Sequence, residues 1–231
     1  SDCLLEPPEF SLCANALKEW INRYSISVYN EETNKGLVRH LYLRKAKATN
    51  QILAVVVING QSLPHTDALV SSFKDILGDS LKSVQLNINT KPTNVVLGDK
   101  NILLYGDSYI TDILCGINVR ISPHSFYQVN RDGAELLYNK AAEYASVSGD
   151  EDVLDLYCGA GTIGLSMAKE AKSVIGVEII EAAVKDAEFN AKENGINNAR
   201  FICGDATKAA EKLAKENIFT DVVILDPPRK G

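Results

Sequence analysis

Hydrophobic positions along this chain follow helical spacing in some stretches and strand-like spacing in others, and their arrangement changes midway. Between residues 10 and 24, Leu12, Ala16, Leu17, Trp20, Ile21 and Tyr24 recur three and four apart, which predicts an amphipathic helix. Leu37, Leu41 and Leu43 fall on one side of an alternating stretch, and Ile52 to Ile58 is a β-branched run closed by Asn59-Gly60; both predict strands. Leu69, Phe73, Ile76 and Leu77 ahead of Gly78 predict a second helix, and Val84–Ile88, Ile102–Tyr105 and Ile117–Ile121 further strands. This half reads as an α+β unit of antiparallel character. Ser122-Pro123-His124-Ser125 marks a join, after which Asn130 can cap a helix running to about Ala145. From residue 150 strand, loop and helix repeat. The strands are Val153–Leu156, Val174–Glu178, Arg200–Cys203 and Val222–Asp226, and the helices 162–171, 180–194 and 206–216. Short apolar strands alternating with helices imply a parallel sheet covered on both faces. Two domains are expected, 1–121 and 122–231.

Composition narrows the class. Apolar residues make up 45% and charged residues 23%, the balance of a globular protein with a buried core. No run is long and apolar enough to span a membrane, and the first residues lack the basic start and apolar stretch of a signal peptide, so a cytoplasmic protein is expected. Five cysteines, Cys3, Cys13, Cys115, Cys158 and Cys203, are widely spaced without a C-x-x-C pair, which favours reduced thiols over a disulfide framework. Net charge is −6, all of it in residues 121–231. The one basic cluster, Arg39, His40, Arg44, Lys45 and Lys47, is either a solvated strand face or a phosphate-contacting surface.

The candidate chemistry lies in the second half. Val153-Leu154-Asp155-Leu156-Tyr157-Cys158-Gly159-Ala160-Gly161-Thr162-Ile163-Gly164 reads as a strand entering a glycine-rich turn that opens a helix, where backbone can pass close to a ligand and free N–H groups point outward. Gly159, Gly161 and Gly164 also satisfy the dinucleotide spacing, a weak signal alone. Glu178, ending the next strand 19 residues after Gly159, can accept from two ribose hydroxyls, which suits a nicotinamide cofactor as well as S-adenosylmethionine. Two details favour the latter. Asp155 lies inside the first strand, where a carboxylate can face an ammonium or a sulfonium. Asp226-Pro227-Pro228-Arg229 ends the fourth strand, where two prolines stiffen the loop and leave its carbonyls free. Asp205 can accept from an adenine amino group, cap the following helix, or do both.

In these segments the chain resembles the uracil-C5 RNA methyltransferases of ribosomal and transfer RNA, and most of all their bacterial 23S ribosomal-RNA branch. The resemblance covers nearly the whole chain. Besides the glycine turn, Gly176-Val177-Glu178, Asn190-Ala191 with Asn194-Gly195, and Asp226-Pro227-Pro228-Arg229-Lys230-Gly231, it rests on Gly36-Leu37-Val38-Arg39-His40-Leu41, Asn87-Ile88-Asn89 with Thr93-Asn94, and Ile121-Ser122-Pro123-His124-Ser125-Phe126-Tyr127-Gln128-Val129-Asn130. It implies a Rossmann-like class I S-adenosylmethionine-dependent domain with a truncated parallel sheet, preceded by an RNA-facing α+β central domain. It implies that Gln128, Tyr157, Glu178 and Asp226 line the cofactor site, with Asp155, Gly159, Gly161 and Asp205 around them. Arg39, Arg44, Pro227 and Arg229 are candidate substrate contacts. The partner implied is RNA, with no DNA and no membrane.

In the family a cysteine thiolate adds to uracil C6 and makes C5 nucleophilic, C5 takes the methyl group, and a base removes the C5 proton. That cysteine and base come after the Asp-Pro-Pro-Arg loop, beyond Gly231, so no catalytic residue is expected in this chain, and it is expected to bind cofactor without turnover. The fourth strand is expected to form an open apolar edge, able to self-associate. An iron–sulfur cluster, held in some members by cysteines of an N-terminal barrel, is not expected here, because Cys3 alone cannot ligate one; no other metal site is expected. Transfer-RNA uridine-54 methylation, a nicotinamide-dependent oxidoreductase and a non-catalytic RNA-binding module remain as alternatives. A DNA or protein methyltransferase fits less well, because its acidic-Pro-Pro segment usually ends in an aromatic residue where Arg229 stands.

Overall fold

The computed structural model describes residues 6–227. It separates into two compact units, Ser1–Thr111 with Ser122–His124, and Asp112–Ile121 with Ser125–Gly231.

The first unit is a four-stranded sheet with two helices against it. Helix α1 (Pro8–Arg23) begins on Pro8, whose fixed φ suits the first helical turn. Strand β1 (Val38–Lys45), β2 (Ile52–Ile58), helix α2 (Thr66–Leu77), β3 (Leu81–Ile88) and β4 (Lys100–Gly106) come next, with the strands side by side in that order. The outer pairings are antiparallel, but β2 and β3 run parallel, because α2 carries the chain back between them. The expected antiparallel character therefore holds only at the two edges. Alternate residues Ile52, Ala54, Val56 and Ile58 join Leu17, Trp20, Leu69 and Phe73 in one core. On β3 the other alternation is polar: Ser83, Gln85 and Asn87, with Asn89 just beyond, are all buried. Two of these amides hold loop backbone. Asn87 donates to the Gly98 carbonyl and accepts from the Gly98 N–H, and Asn89 donates to the carbonyls of Val95 and Val96.

A hairpin follows, β5 (Ile110–Leu114) and β6 (Ile117–Ile121), and from Asp112 onward it belongs to the second unit. The expected boundary after residue 121 is corrected here. Leu114, Ile117 and Val119 bury themselves with Ala134, Tyr138, Val153 and Leu165, so residues 112–121 pack into the second unit. Helix α3 (Arg131–Ala145) is capped by Asn130, whose side chain accepts from the Gly133 N–H at 3.1 Å. Then come β7 (Asp152–Leu156), α4 (Thr162–Met167), β8 (Ser173–Glu178), α5 (Glu181–Glu193), β9 (Ala199–Cys203), α6 (Ala206–Lys215) and β10 (Val222–Leu225). Helix α4 stops short of the expected residue 171. The Asn198 amide donates to the carbonyls of Ala168 and Ala171 at 2.7 and 2.9 Å, ending the turn that continued helix would have needed.

All three pairings of this sheet are parallel, in the order β10-β7-β8-β9. Period-two alternation sorts the faces. Val153 and Val174 join the core that holds residues of α3, α4 and α5, while Leu154, Leu156, Ile175 and Val177 face Ala206, Ala209 and Leu213 of α6. The chain thus steps outward from β7 to β9 and then returns past β7 to lay down β10.

Candidate cofactor site at the sheet's switch point

That return sets the position of the site. In an open parallel sheet, two loops diverge at the strand tips where the order reverses, leaving a crevice at the carboxyl ends. The reversal here lies between β7 and β10. The glycine turn leaves β7, and Asp226-Pro227 leaves β10, so two of the motifs singled out from sequence flank one crevice. Pro228 and Arg229, like Cys3, lie outside the described residues.

The turn is built from left-handed backbone. Tyr157, Gly159 and Gly161 have φ of 67°, 55° and 77°. Only glycine adopts this region freely, so an aromatic residue held there is strained, as happens at ligand-facing turns. A Cβ on Gly159 would meet nothing within 4 Å, so its backbone faces open space. The neighbouring glycines serve packing. A Cβ on Gly164 would come within 2.9 Å of Val174 Cγ1, and one on Gly176 within 2.5 Å of Phe201 Cδ1.

Two carboxylates brace the turn. Glu178 accepts from the Gly159 N–H at 3.1 Å and from the Ile180 N–H at 2.9 Å, fastening the tip of β8 to the turn beside it. Each of its oxygens keeps a second lone pair for a ligand hydroxyl. Asp155 is only 1% exposed, and its Oδ2 accepts from the Gly164 N–H at 2.9 Å, satisfying a free donor in the first turn of α4. Its other oxygen, Oδ1, is buried without a hydrogen-bond partner. Burial pushes the Asp155 pKa up to about 7, the Gly164 N–H opposes this, and the charges of Asp226 and Glu178 add to it.

The remaining expected residues sort by position. Gln128 is half-buried in the segment before α3 and, with Thr162, acts on the buried hydroxyl of Tyr138. Tyr157 is 39% exposed at the turn, and Asp226 and Pro227 are exposed. Asp205 caps α6, accepting from the Lys208 N–H at 3.0 Å, which realises the capping alternative and leaves its other oxygen available. Sequence reasoning misses two candidates. Tyr138 reads as an ordinary position on an amphipathic helix. Ile179, 65% exposed just past Glu178, offers an apolar surface at the tip of β8, and its signal is a large aliphatic residue directly after a strand-end acid.

Arg39 and Arg44 belong to the first unit. Both guanidinium groups already have partners inside this unit. Arg39 donates to the carbonyls of Asn89, Lys91 and Thr93 at 2.8–3.0 Å and stacks over Tyr29 at 4.2 Å, so it fastens a loop. Arg44 donates to the Tyr42 hydroxyl at 2.6 Å, and Lys45 pairs with Glu9. Among the described residues no group of three or more His, Cys, Asp or Glu is placed to hold a metal ion, and no helix is long and apolar enough to cross a membrane.

A parallel sheet with a glycine turn at its switch point, a buried carboxylate beneath it and an acid on the next strand defines a Rossmann-like methyltransferase domain. Residues 148–227 match the family model described as a methyltransferase domain, which implies S-adenosylmethionine as cofactor. The residues fit that group: an orphaned buried carboxylate oxygen suits its cationic end, and the space over Gly159 admits it. The relatives are more particular. The chain is 45% identical over 230 residues to a protein of Caldanaerobacter subterraneus named an uncharacterized RNA methyltransferase, covering all of this chain and 51% of the relative. A similarly named protein of Clostridium tetani is 42% identical over 229 residues, covering 99% of this chain and 50% of its own. The chain therefore spans about half the length of these curated relatives. Among solved structures, the tRNA (uracil-54, C5)-methyltransferase of Pyrococcus abyssi, in complex with S-adenosyl-L-homocysteine, superposes with a TM-score of 0.73 at 27% identity, over 93% of this chain and 50% of that one. The resemblance drawn from the sequence motifs is thus carried by whole-chain relatives named RNA methyltransferases and by a uracil-C5 methyltransferase structure.

Proposed function

We propose that this chain is the cofactor-binding portion of an enzyme that transfers a methyl group from S-adenosylmethionine to C5 of a uridine in RNA. The observation that carries the reading is the unpartnered Asp155 oxygen, buried beneath a left-handed glycine turn at the switch point of a parallel sheet. When bound, the cofactor supplies an electrophilic methyl group. Glu178 takes the ribose hydroxyls on its remaining lone pairs, Ile179 lies against the adenine, and Asp205 accepts from the adenine amino group. Asp155 meets the ammonium of the amino-acid end. Gln128, Tyr157 and Asp226 border the methyl group, and the target uridine enters beside Pro227 after leaving its stack.

Methylation at uracil C5 needs a thiolate at C6, because C5 alone is a poor nucleophile. None of the four described cysteines suits. Burial pushes the Cys13 thiol up to about 11, and burial with the charges of Asp155 and Glu178 pushes Cys158 higher still. Burial also raises Cys115. Cys203 ends β9, three strand spacings from β10, or about 14 Å at ~4.8 Å per strand. The thiolate is therefore supplied from outside the described residues, and residues 6–227 alone bind cofactor without methyl transfer.

The motif resemblance favours 23S ribosomal RNA as substrate. The Pyrococcus structure favours the second reading, uridine 54 of transfer RNA, and both readings use the same cofactor site. Isothermal titration of this chain with S-adenosylhomocysteine is expected to give saturable one-site binding, and titration with NAD none. Binding of NAD alone would turn the reading toward an oxidoreductase.

A further inference from the structure

Asp155 has a feature that bracing α4 does not require. One oxygen is sufficient for the Gly164 N–H, yet the second is buried with no donor. An ionised carboxylate stripped of water and left half unsatisfied is costly, and the group avoids that cost by keeping its proton. The surroundings offer no relief. Among the described residues, the titratable groups whose charges act with Asp155 are Asp226 after β10, Glu178 on β8, Tyr138 on α3 and Cys158 in the turn, and none is cationic. Helix α4 contributes only the Gly164 N–H.

We propose that Asp155 is a proton-exchanging receptor for the cofactor's ammonium group. The carboxyl is protonated in the empty crevice and releases its proton to solvent when the ammonium seats against the free oxygen. The balance is simple. A neutral carboxyl and an ammonium become a carboxylate–ammonium pair plus one proton in the buffer, with no bond formed or broken on the cofactor. The inference rests on the cofactor reading above and deepens it, because it ties cofactor affinity to pH and makes the crevice select for ligands that bring a cation. Burial and the two acidic neighbours, which hold the Asp155 pKa near neutrality, support it.

The test is calorimetric titration of the chain with S-adenosylhomocysteine in two buffers of different ionisation enthalpy, at about pH 6 and about pH 8. Release of close to one proton is expected at the lower pH and close to none at the higher. Affinity is expected to rise by up to about tenfold per pH unit as the pH approaches neutrality from below. 5′-Methylthioadenosine, which has the nucleoside and lacks the ammonium, is expected to bind with no proton release. Asp155→Asn keeps an oxygen for the Gly164 N–H and is expected to abolish the release and flatten the pH profile, with its melting temperature reporting that the fold persists. Failure of the wild-type chain to bind S-adenosylhomocysteine overturns the cofactor reading. Tight binding with no proton release at either pH, or release that persists in Asp155→Asn, overturns the assignment to Asp155 and leaves the cofactor reading standing.

Discussion

At the residue scale, the crevice is assembled from side chains that each satisfy a local demand and keep capacity to spare. Asp155 makes this visible in stability as well as in binding. Its folded pKa, about 7, stands above the ordinary aspartate value of 3.8, so between those values the folded protein binds the additional proton. That contribution favours folding at low pH and is lost as pH rises toward 7. In thermal melts of the ligand-free protein, Asp155→Asn is therefore expected to gain relative to wild type as pH is raised from about 4 to about 7; a constant offset would contradict it. The glycines separate in the same spirit. Gly176→Ala drives a Cβ to 2.5 Å from Phe201 and 2.9 Å from Cys158 Sγ, and is expected to destabilise the fold by about 1–3 kcal/mol. Gly159→Ala meets no neighbour and carries only the left-handed backbone penalty of about 1–2 kcal/mol, yet puts a methyl group into the proposed cofactor site, so it is expected to lose most S-adenosylhomocysteine affinity. Comparable loss of binding in Gly176→Ala and Gly159→Ala at equal melting temperature would contradict this division.

At the scale of the elements, most of the parallel sheet is legible in the sequence. β7 to β10 are short apolar runs closed by Glu178, Cys203-Gly204-Asp205 and Asp226-Pro227, and the helices between them keep helical spacing. The departures have local causes. β5 escapes the pattern because Ile110-Thr111-Asp112-Ile113-Leu114 mixes polar with apolar residues, and its Asp112 is buried, with the Tyr127 hydroxyl donating to it at 2.8 Å. The parallel β2–β3 pairing depends on where α2 lies, which periodicity cannot report. On the basic strand β1 the charge is written in sequence and its internal partners are not: the carbonyls that hold Arg39 lie some fifty residues away. Tyr157 is expected beside the cofactor, but its left-handed backbone cannot be read from residue type. β10 shows one expected liability. It is an edge strand with Val223 51% and Leu225 64% exposed. Unpaired strand edges template association, so sedimentation of the chain is expected to show concentration-dependent association that Val223→Lys weakens. A monomer at all concentrations would rule out self-association through this edge.

At the scale of the molecule, the chain divides its work between a mixed-sheet unit, whose basic strand is tied to its own loops, and a parallel-sheet unit that carries the excess negative charge and the proposed cofactor crevice. That unit gains its crevice from one topological event, the return from β9 past β7 to β10. The RNA and the thiolate chemistry belong to the proposal, while the cofactor site is the part this chain tests by itself. The most direct measurement is the structure of the chain crystallised with S-adenosylhomocysteine. The nucleoside is expected across the tips of β7 and β8, with its ribose hydroxyls on Glu178, the ligand passing over Gly159 and its ammonium against Asp155 Oδ1. Density in any other cleft, or a bound ligand whose ammonium points away from Asp155 into solvent, would contradict it.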